Sequence, residues 1–554
     1  MQPPKPKGIL ARLRAKKAEW QNKQRIHRLA SQVLAHAHPE QNRKPVVVFN
    51  VSSRLTGLSQ NASFTLLTTW GLRLMGAPVI HFVCQAGMSH CVLGTNRQDY
   101  TTPPPCDACI AQSHRLYHGA EVNWFKYQQD TLLSKELENQ SISRLVDYEI
   151  PSADLRFLNL KHQEPLPLGH LVLPSIRWAL RCHHLPDDES TRYLMQQYML
   201  SAYFIAKSFA DLLDQANPDV AMIFNGIMYP EAAARWVAIK RDVCVVTHEV
   251  GFQPFSTFFT SGDATAYPIH IPDDFTLSPA QNERLDTYLE QRFKGKFTMA
   301  GIRFWPEMTG LDERFLQRAA QFRQVIPVFT NVIFDTSQIH ANTIFAHMFD
   351  WLDAVLKVIR HHPDTLFVIR AHPDEMRPGT AKQSRESVRN WVFTNQVGSL
   401  PNVNFIDSQE YISSYELMQR SKFLMVYNSS IGLEAALLGV PVLCGGKARY
   451  TQYPTVFLPA SVDEFHQMAK KLLRAEKIDL PPEFQRNARR FLYYQLYRAS
   501  IPFGEFLQTG PRPGFVQVRP FSWKQLLPEN SPGIKTVVNG ILDGKSFLFD
   551  EAHE

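Results

Sequence analysis

A polar turn between two apolar segments carries the clearest chemical signal in the chain. The first apolar segment ends abruptly in Asn428-Ser429-Ser430, and a helical pattern with Glu434 in its first turns follows, then a second apolar segment. This order predicts a strand, a turn, a helix and a strand, which form a βαβ unit. Ser429 or Ser430 can cap the helix, whose first amides and dipole attract phosphate, and Glu434 can accept a hydrogen bond from a sugar hydroxyl. The alternative is the ordinary capped helix of an α/β protein.

A histidine and an arginine occupy a comparable position further back in the chain. A predicted strand ends in Arg370, and His372-Pro373 follows at once. Because the carboxyl ends of parallel strands meet at one edge of a sheet, we expect these side chains near Ser429 and Ser430, where they would complete a phosphate pocket. Pro373 restricts His372 to an extended backbone, which helps its ring to point outward. The alternatives are a surface-loop histidine and a solvated arginine.

The first half of the chain offers a candidate general base. A predicted strand over 243–247 leads into His248-Glu249, and Gly251 marks the turn beyond them. A carboxylate or an imidazole at a strand end can remove the proton of an attacking hydroxyl. Glu249 is the first choice for this role and His248 the second, and the alternative for Glu249 is a purely structural carboxylate.

Alternating strand and helix patterns must position these groups. They predict an α/β fold with two doubly wound, Rossmann-like domains around a central cleft, since 554 residues exceed what one core accommodates. The predicted division is a basic leader at 1–44, a first domain with an insertion at 45–275, an interdomain connection at 276–325, a second domain at 326–475, and a C-terminal helix and tail at 476–554. The aromatic, basic helix of the last segment can cross back onto the first domain.

The positive charge of the chain is concentrated at its start. The chain holds 59 Lys and Arg against 52 Asp and Glu, and residues 1–44 alone contain eleven of these cations and two of the acids. A basic amphipathic helix there can rest on an anionic membrane surface, each cation contributing about 1 kcal/mol. The alternative is a solvated leader. The balanced remainder offers no basic face for nucleic acid, so we expect no nucleic-acid partner.

The location follows from what the sequence lacks. No stretch reaches the roughly 18 uninterrupted apolar residues that a membrane helix needs, and the N-terminus has no secretory pattern. Seven cysteines, an odd and thinly spread set, favour a reducing compartment. We therefore expect a cytoplasmic protein, with the leader as the one segment suited to the inner face of the plasma membrane.

Four of the cysteines stand close together, at Cys84, Cys91, Cys106 and Cys109. Four thiolates can bind zinc or an iron–sulfur cluster. Only the second pair has the Cys-x2-Cys spacing typical of such sites, and Cys84 suits an ordinary strand. Independent buried thiols are therefore the favoured interpretation, and no metal site or cofactor is predicted.

The motifs of both halves resemble those of a known enzyme group. Two doubly wound domains with a helix-opening phosphate site and a glutamate are similar to GT-B glycosyltransferases. His372-Pro373 resembles the HP motif of bacterial CMP-sugar transferases, the capsule Kdo transferases and the sialyltransferases, and Ser429-Ser430 resembles the paired serines of the latter. The resemblance is centred on 326–475.

A weaker resemblance covers 220–270, where Gln253-Pro254 is similar to the QP motif of the capsule Kdo group. It implies transfer of a sugar from a nucleotide-activated donor, with a CMP-sugar favoured, to a surface or capsule polysaccharide or a glycolipid. It also implies that no bound metal is needed, and the chain has no clear Asp-x-Asp motif.

The resemblance gives roles to the donor-side residues. His372, Ser429 and Ser430 would contact the nucleotide and phosphates, with Asn428 beside them, and Glu434 would contact the ribose. Arg370 and His372 would stabilise the departing phosphate. Other readings stay open: a phosphotransferase that uses a CDP-polyol, as in teichoic-acid synthesis, a non-catalytic envelope assembly protein of GT-B shape, and a metal-sensing protein built on the cysteines.

Overall fold

A computed structural model describes residues 8–49, 57–293, 308–376, 383–512 and 514–551. Its strands are β1 Val46–Phe49, β2 Val79–Cys84, β3 Glu121–Phe125, β4 Val220–Phe224, β5 Cys244–Val250, β6 Ser256–Thr260, β7 Gln324–Phe329, β8 Thr365–Arg370, β9 Val403–Ile406, β10 Leu424–Val426, β11 Val442–Cys444, β12 Ile501–Pro502, β13 Leu507–Thr509 and β14 Val516–Val518. They form a sheet of seven strands, a sheet of five and a small hairpin.

Helices surround these sheets. They are α1 Ile9–His36, α2 Gln60–Leu74, α3 Cys106–Leu116, α4 Thr131–Leu137, α5 Ile142–Val146, α6 Leu168–Leu180, α7 Glu189–Ala216, α8 Tyr229–Lys240, α9 Pro279–Phe293, α10 Glu313–Ala319, α11 Gln338–Ala341, α12 Met348–Arg360, α13 Val388–Thr394, α14 Ser414–Gln419, α15 Ile431–Leu437, α16 Val462–Arg474, α17 Pro482–Tyr493 and α18 Pro532–Asp543. Among the described residues, no helix is both long enough and apolar enough to cross a membrane.

The first domain is built on the sheet of seven strands, in the order β12-β6-β5-β4-β1-β2-β3. Strands β1 to β5 are parallel, and β6 and β12 add an antiparallel edge. All four residues of β1 are buried, because helices cover both faces of the sheet. Strand β1 pairs with both β2 and β4, so the strands that follow in sequence are added first on one side of β1 and later on the other. Ligands of such sheets bind at this crossover.

The second domain has five parallel strands in the order β11-β10-β7-β8-β9. Strand β7 lies at the crossover, between β10 on one side and β8 on the other. The apolar side chains of α12 and α16 pack on one face of this sheet and bury Trp351 and Phe465. Two doubly wound α/β domains are therefore confirmed.

The ends of the chain are part of the first domain, which corrects two predicted boundaries. Helix α1 buries Ile26, Leu29 and Val33 in the same core as β1 and α2, so the leader at 1–44 is not a separate solvated segment. The tail joins that core as well, because β12 pairs with β6 and α18 packs on α2. The C-terminal helix and tail predicted at 476–554 thus contribute β12 and α18 to the first domain.

Two other predicted segments are packed into the cores of the domains. The insertion within 45–275 contributes α4 to α7 to the layer that covers one face of the first sheet. In the predicted connection at 276–325, α9 buries Leu285 and Leu289 against α15 and α17, while residues 294–307 lie outside the described part of the chain. Neither segment is a loose linker.

The packing of α1 predicts a difference between two leucines on the same helix. Leu29 is 0% exposed and Leu13 is 57% exposed. We expect Leu29→Ala to lower the free energy of unfolding by about 2–5 kcal/mol, since it leaves a cavity in the core. Leu13→Ala should change it by less than about 0.5 kcal/mol. Urea denaturation of the full chain measures both, and equal effects would contradict the packing of α1 on the domain.

Candidate active-site cleft

Two asparagines join the strand ends at the crossover of the second domain. Asn331 follows β7 and Asn428 follows β10, and the side-chain amide of Asn331 donates to the side-chain oxygen of Asn428 over 2.6 Å. Gln338 donates to the same oxygen from 3.4 Å. Because that oxygen is already an acceptor, the amide group of Asn428 is the part of this side chain that can donate to a ligand.

The paired serines do not cap the helix as predicted. Ser430 precedes α15 with helical dihedral angles, φ −59° and ψ −19°, and within the described residues its side chain makes no capping hydrogen bond. A side-chain cap normally requires an extended backbone at that residue, so the hydroxyl is not directed at the helix amides. Ser430 is exposed and Ser429 half-buried. Both hydroxyls therefore lie at the surface of the cleft.

Glu434 is not placed to bind a ribose, which corrects its predicted role. It is buried on the first turn of α15, where Arg292 forms an ion pair with one carboxylate oxygen and the hydroxyl of Tyr415 donates to the other. Burial lowers the pKa of Arg292, but Glu434, Tyr288 and Tyr415 together outweigh it, so the pKa is raised. Glu434 therefore anchors α9 to α15.

Arg370 is likewise structural rather than a phosphate ligand. Its side chain is 1% exposed, and the guanidinium donates to the main-chain oxygens of Glu410 at 2.9 Å and Ile412 at 3.1 Å. Burial lowers the pKa of Arg370 to about 10. The residue holds the loop between β9 and α14 on the sheet, because its side chain points into the protein instead of past the strand end.

His372 lies at the carboxyl end of β8, on the same sheet edge as Ser429 and separated from it only by β7. The ring is half-buried, and its Nδ1 accepts a hydrogen bond of 3.1 Å from the main-chain N–H of Asp374. A neutral ring that accepts at Nδ1 carries its hydrogen on Nε2. Nε2 is thus the donor atom of the His372 ring.

Glu249 lies at the carboxyl end of β5 in the first domain. It is the sixth residue of β5 and lines a cavity of about 320 Å³ together with Ser59, Asn225 and Thr336, the last of which belongs to the loop after β7. The side-chain amide of Asn225 donates to Oε1 over 2.6 Å, and the N–H of Val250 donates to Oε2 over 3.1 Å. These bonds fix the carboxylate toward the cavity.

The environment of Glu249 tunes its protonation. Burial raises the pKa of this carboxyl, and the hydrogen bonds from Asn225 and Val250 and the nearby charge of Arg449 limit the rise. Asn225 can occupy this position because asparagine tolerates the left-handed conformation found there, with φ 61°. A carboxylate with a raised pKa is a stronger base than one in water.

His248 does not face the cleft, so the second candidate for the base is wrong. It is 0% exposed and stacks on Phe259 with ring centroids 5.1 Å apart. Thr65 donates its hydroxyl proton to the main-chain oxygen of Asn61, so His248 Nε2 must donate to Thr65 across their 2.9 Å contact. Burial lowers the pKa of His248 to about 3. Successive residues of a strand point to opposite faces of the sheet, so Glu249 points to the other face, where it lines the cavity.

The second domain reaches the first through the segment after β11. The guanidinium of Arg449 lies 3.9 Å from the ring centroid of Tyr267 and 5.4 Å from that of Phe252. Next to it, the side-chain amide of Gln452 donates to the main-chain oxygen of Tyr267 over 2.9 Å. Gln253-Pro254, the predicted QP motif, forms the turn between β5 and β6 beside this contact.

Three histidines meet on the other side of the domain interface and are the one set of described side chains compact enough for a single ion. The ligand atoms of His183, His184 and His347 lie within 4.8 Å of one another. The amide of Asp350 donates to His347 Nδ1, so His347 Nε2–H can donate to His184 Nε2 over 3.1 Å, and His184 Nδ1–H to Glu386 over 3.0 Å. These hydrogen bonds give His184 and His347 partners within the protein.

Sequence reasoning missed Asn225, Asn331 and Arg449. The two asparagines had the same signal as Asn428, a polar side chain directly after a buried strand, but were counted as strand residues. Arg449 gave no sequence signal, because its contact with Tyr267 depends on how the domains face each other.

The sequence of the second domain matches a known family. Residues 305–454, which include His372 and both serines, match the family described as capsule polysaccharide biosynthesis protein. The second domain is similar to these proteins. A comparison of the chain with curated protein sequences gave no match.

Several solved structures are similar to parts of the chain. The Thermosulfurimonas dismutans KpsC beta Kdo 2,4 transferase is 11% identical, with a TM-score of 0.33 over 54% of this chain and 84% of that one. The beta Kdo 2,7 transferase of the same protein is 14% identical, with a TM-score of 0.32 over 59% and 88%. UDP-GlcNAc 2-epimerase from Neisseria meningitidis, bound to UDP-GlcNAc, is 16% identical, with a TM-score of 0.25 over 53% and 80%. The fold is assigned from the strand order itself.

Proposed function

We propose that the chain is a GT-B glycosyltransferase that moves a sugar from a nucleotide-activated donor, a CMP-sugar, to a glycan or glycolipid acceptor. The observation that carries this proposal is the arrangement of the cleft. Asn428, Ser429, Ser430 and His372 share the carboxyl edge of the second sheet, and Glu249 lines a cavity of the first domain that Thr336, from the loop after β7 in the second domain, also lines. The family match over 305–454 supports it, since that range contains the whole donor edge.

The donor edge suits a nucleotide phosphate. His372 carries its hydrogen on Nε2, and Ser429 and Ser430 carry hydroxyls, so all three side chains are of a type that can donate to phosphate. Hydrogen-bond donors aimed at an oxygen that gains negative charge stabilise the transition state more than the bound donor. Helix α15 has only seven residues, so the side-chain donors rather than a long helix dipole supply most of this stabilisation.

The acceptor reacts from the side of Glu249. The acceptor hydroxyl gives its proton to the carboxylate as its oxygen bonds to the anomeric carbon, and the bond from that carbon to the phosphate breaks. The electron pair leaves with CMP, whose phosphate His372 and the serines hold. Because Asn225 and the Val250 amide hold Glu249 in place, its free oxygen lone pairs face the cavity.

The first half of α1 supports contact with an anionic membrane surface, where a glycolipid acceptor would reside. Ile9, Leu10, Leu13 and Trp20 are 57–77% exposed and lie within about 100° of the helix circumference, opposite the face that packs on the domain. Lys16 and Arg14 flank this stripe, and Lys17 lies within it. An exposed apolar stripe bordered by cations is typical of helices that lie in a membrane interface.

Replacing the proposed base predicts a loss of turnover without a loss of donor binding. Glu249→Gln should lower kcat by about 10²- to 10⁴-fold, the usual contribution of a general base, and leave the Kd for CMP unchanged. In the wild type, kcat/KM should fall as the pH drops below the raised pKa of Glu249, because the protonated carboxyl cannot accept a proton. Release of CMP measures the rate.

The matched control is Glu283→Gln, at an exposed glutamate on α9. It should keep wild-type turnover and the wild-type pH profile. Full activity in Glu249→Gln would remove Glu249 from the mechanism, and unchanged CMP-sugar consumption in both Glu249→Gln and His372→Ala would reject the enzyme.

Removing both cleft hydroxyls predicts weaker nucleotide binding. Ser429→Ala combined with Ser430→Ala should raise the Kd for CMP by about 10- to 100-fold, since hydrogen bonds to a charged group contribute about 1.5–3 kcal/mol. Ser399→Ala, exposed after α13, is the control. Calorimetry with CMP, UDP and GDP identifies the nucleotide, and turnover of a CDP-polyol but not of a CMP-sugar would establish the phosphotransferase instead.

Membrane contact predicts binding that depends on lipid charge. The full chain should sediment with vesicles containing phosphatidylserine and not with neutral vesicles, and Leu13→Glu should reduce the bound fraction by at least about tenfold, since a charge is placed in the apolar stripe. Leu132→Glu, a comparably exposed leucine on α4, is the control. Equal binding of all three proteins would contradict the role of α1.

A further inference from the structure

Four cysteines that stand within 26 residues of the sequence come together in one cavity. Cys84 ends β2, Cys91 lies in the following loop, and Cys106 and Cys109 open α3. All four line the cavity that also contains Glu249. Burial, with a smaller contribution from the other three cysteines nearby, raises the pKa of Cys91 to about 12. The fold of the loop between β2 and α3 therefore brings the two halves of the set together.

The first two cysteines have identical local surroundings. The main-chain N–H of Gly87 donates to the sulfur of Cys84 over 3.1 Å, and the N–H of Gly94 donates to the sulfur of Cys91 over 3.1 Å. Each is a Cys-x2-Gly turn with its amide aimed at sulfur. Amides in this position favour the thiolate over the thiol and are a feature by which proteins tune thiolate-bound metals.

The other two cysteines occupy the first turn of a helix. Cys106 is the first residue of α3, and Cys109, three residues later, lies on the same face. The positive end of the helix dipole stabilises thiolates there. Gly94 packs closely against the proline-rich loop before α3, since a Cβ on Gly94 would lie 2.7 Å from Pro104 Cβ and 2.9 Å from Cys91 Sγ. This loop therefore contacts the second Cys-x2-Gly turn. The two halves of the site are thus packed together.

The spacing of the sulfurs distinguishes between kinds of metal centre. Among the described residues, only the three histidines at the interface have all their ligand atoms within 4.8 Å of one another, so the four sulfurs are spread more widely. A single zinc ion with Zn–S bonds of about 2.3 Å would hold its four sulfurs about 3.8 Å apart. A four-iron cluster gives each cysteine an iron of its own and separates the sulfurs further.

We propose that Cys84, Cys91, Cys106 and Cys109 hold a [4Fe–4S] cluster in this cavity. Each thiol gives up its proton to solvent and forms one sulfur–iron bond, and two ferrous ions, two ferric ions and four sulfides come from the assembly medium. The cluster would fix residues 85–105 between β2 and α3 and form one wall of the cleft near Asn225. No change in its oxidation state is required for this role, and the site does not depend on which sugar is transferred.

The test is the metal content of the full chain purified without oxygen. Reconstitution with equal amounts of Fe²⁺ and Fe³⁺ and with sulfide should give about four irons and four sulfides per chain, a broad visible absorption, and an electron paramagnetic resonance signal after reduction with dithionite. Absence of iron after reconstitution would overturn the proposal. One zinc per chain without sulfide would also overturn it and would assign a mononuclear site.

Substitutions identify the ligands. Cys106→Ser and Cys109→Ser should each lose more than half of the bound iron, while Cys244→Ser, an exposed cysteine at the start of β5, should keep all of it. Iron retained in both Cys106→Ser and Cys109→Ser would reject the site. If a variant is insoluble, alkylation of the wild type decides: the four cysteines should be protected with the cluster bound and modified after its removal, and equal modification in both states would contradict the assignment.

Discussion

Every polar group of the cleft depends on central strands that are buried on both faces. Strands β1 and β7 have helices above and below them, so neither can carry a functional side chain along its length. Polar residues are displaced to the carboxyl ends, where Asn225, Asn331 and Asn428 begin the loops. Both strands lie where the connections to the next strands leave in opposite directions along the sheet. The loops therefore diverge there and leave space for a ligand. The cleft follows from this constraint.

The same residue types appear in two roles, and burial separates them. Arg370 and Glu434 are charged groups next to the cleft, yet each is engaged by partners inside the protein, main-chain oxygens for Arg370 and Arg292 with Tyr415 for Glu434. An unpaired buried charge is costly, so such groups are found with their partners already in place. His372, Ser429 and Ser430, by contrast, are half-buried or exposed at the carboxyl edge of the same sheet.

The first domain uses both ends of the chain to complete its core. Helix α1 and the segment from β12 to α18 cover the face of the seven-stranded sheet that α2 covers only in part. The two segments contact each other although they are far apart in sequence. The side-chain oxygen of Asn22, for example, accepts a hydrogen bond of 2.9 Å from the amide of Val518. Helix α17 joins this segment to the second domain. The relative placement of the two walls of the cleft thus rests on the whole chain.

The sequence predicted the two doubly wound domains, most strand positions and the edge that bears Ser429 and His372, because apolar runs and the polar turns that end them are local properties. It did not determine which side chains at that edge face solvent. The inward turn of Arg370, the burial of His248 and the engagement of Glu434 depend on neighbours from distant elements.

The sequence by itself determined which residues end the strands and which types of chemistry they can support. Only the tertiary structure decided that α1 belongs to the first core, that Arg449 approaches Glu249 from the other domain, and that the four cysteines line one cavity. The physical reason is that the first two depend on contacts between segments far apart in the chain. The third depends on how the loop between β2 and α3 folds, which the spacing of the cysteines does not determine.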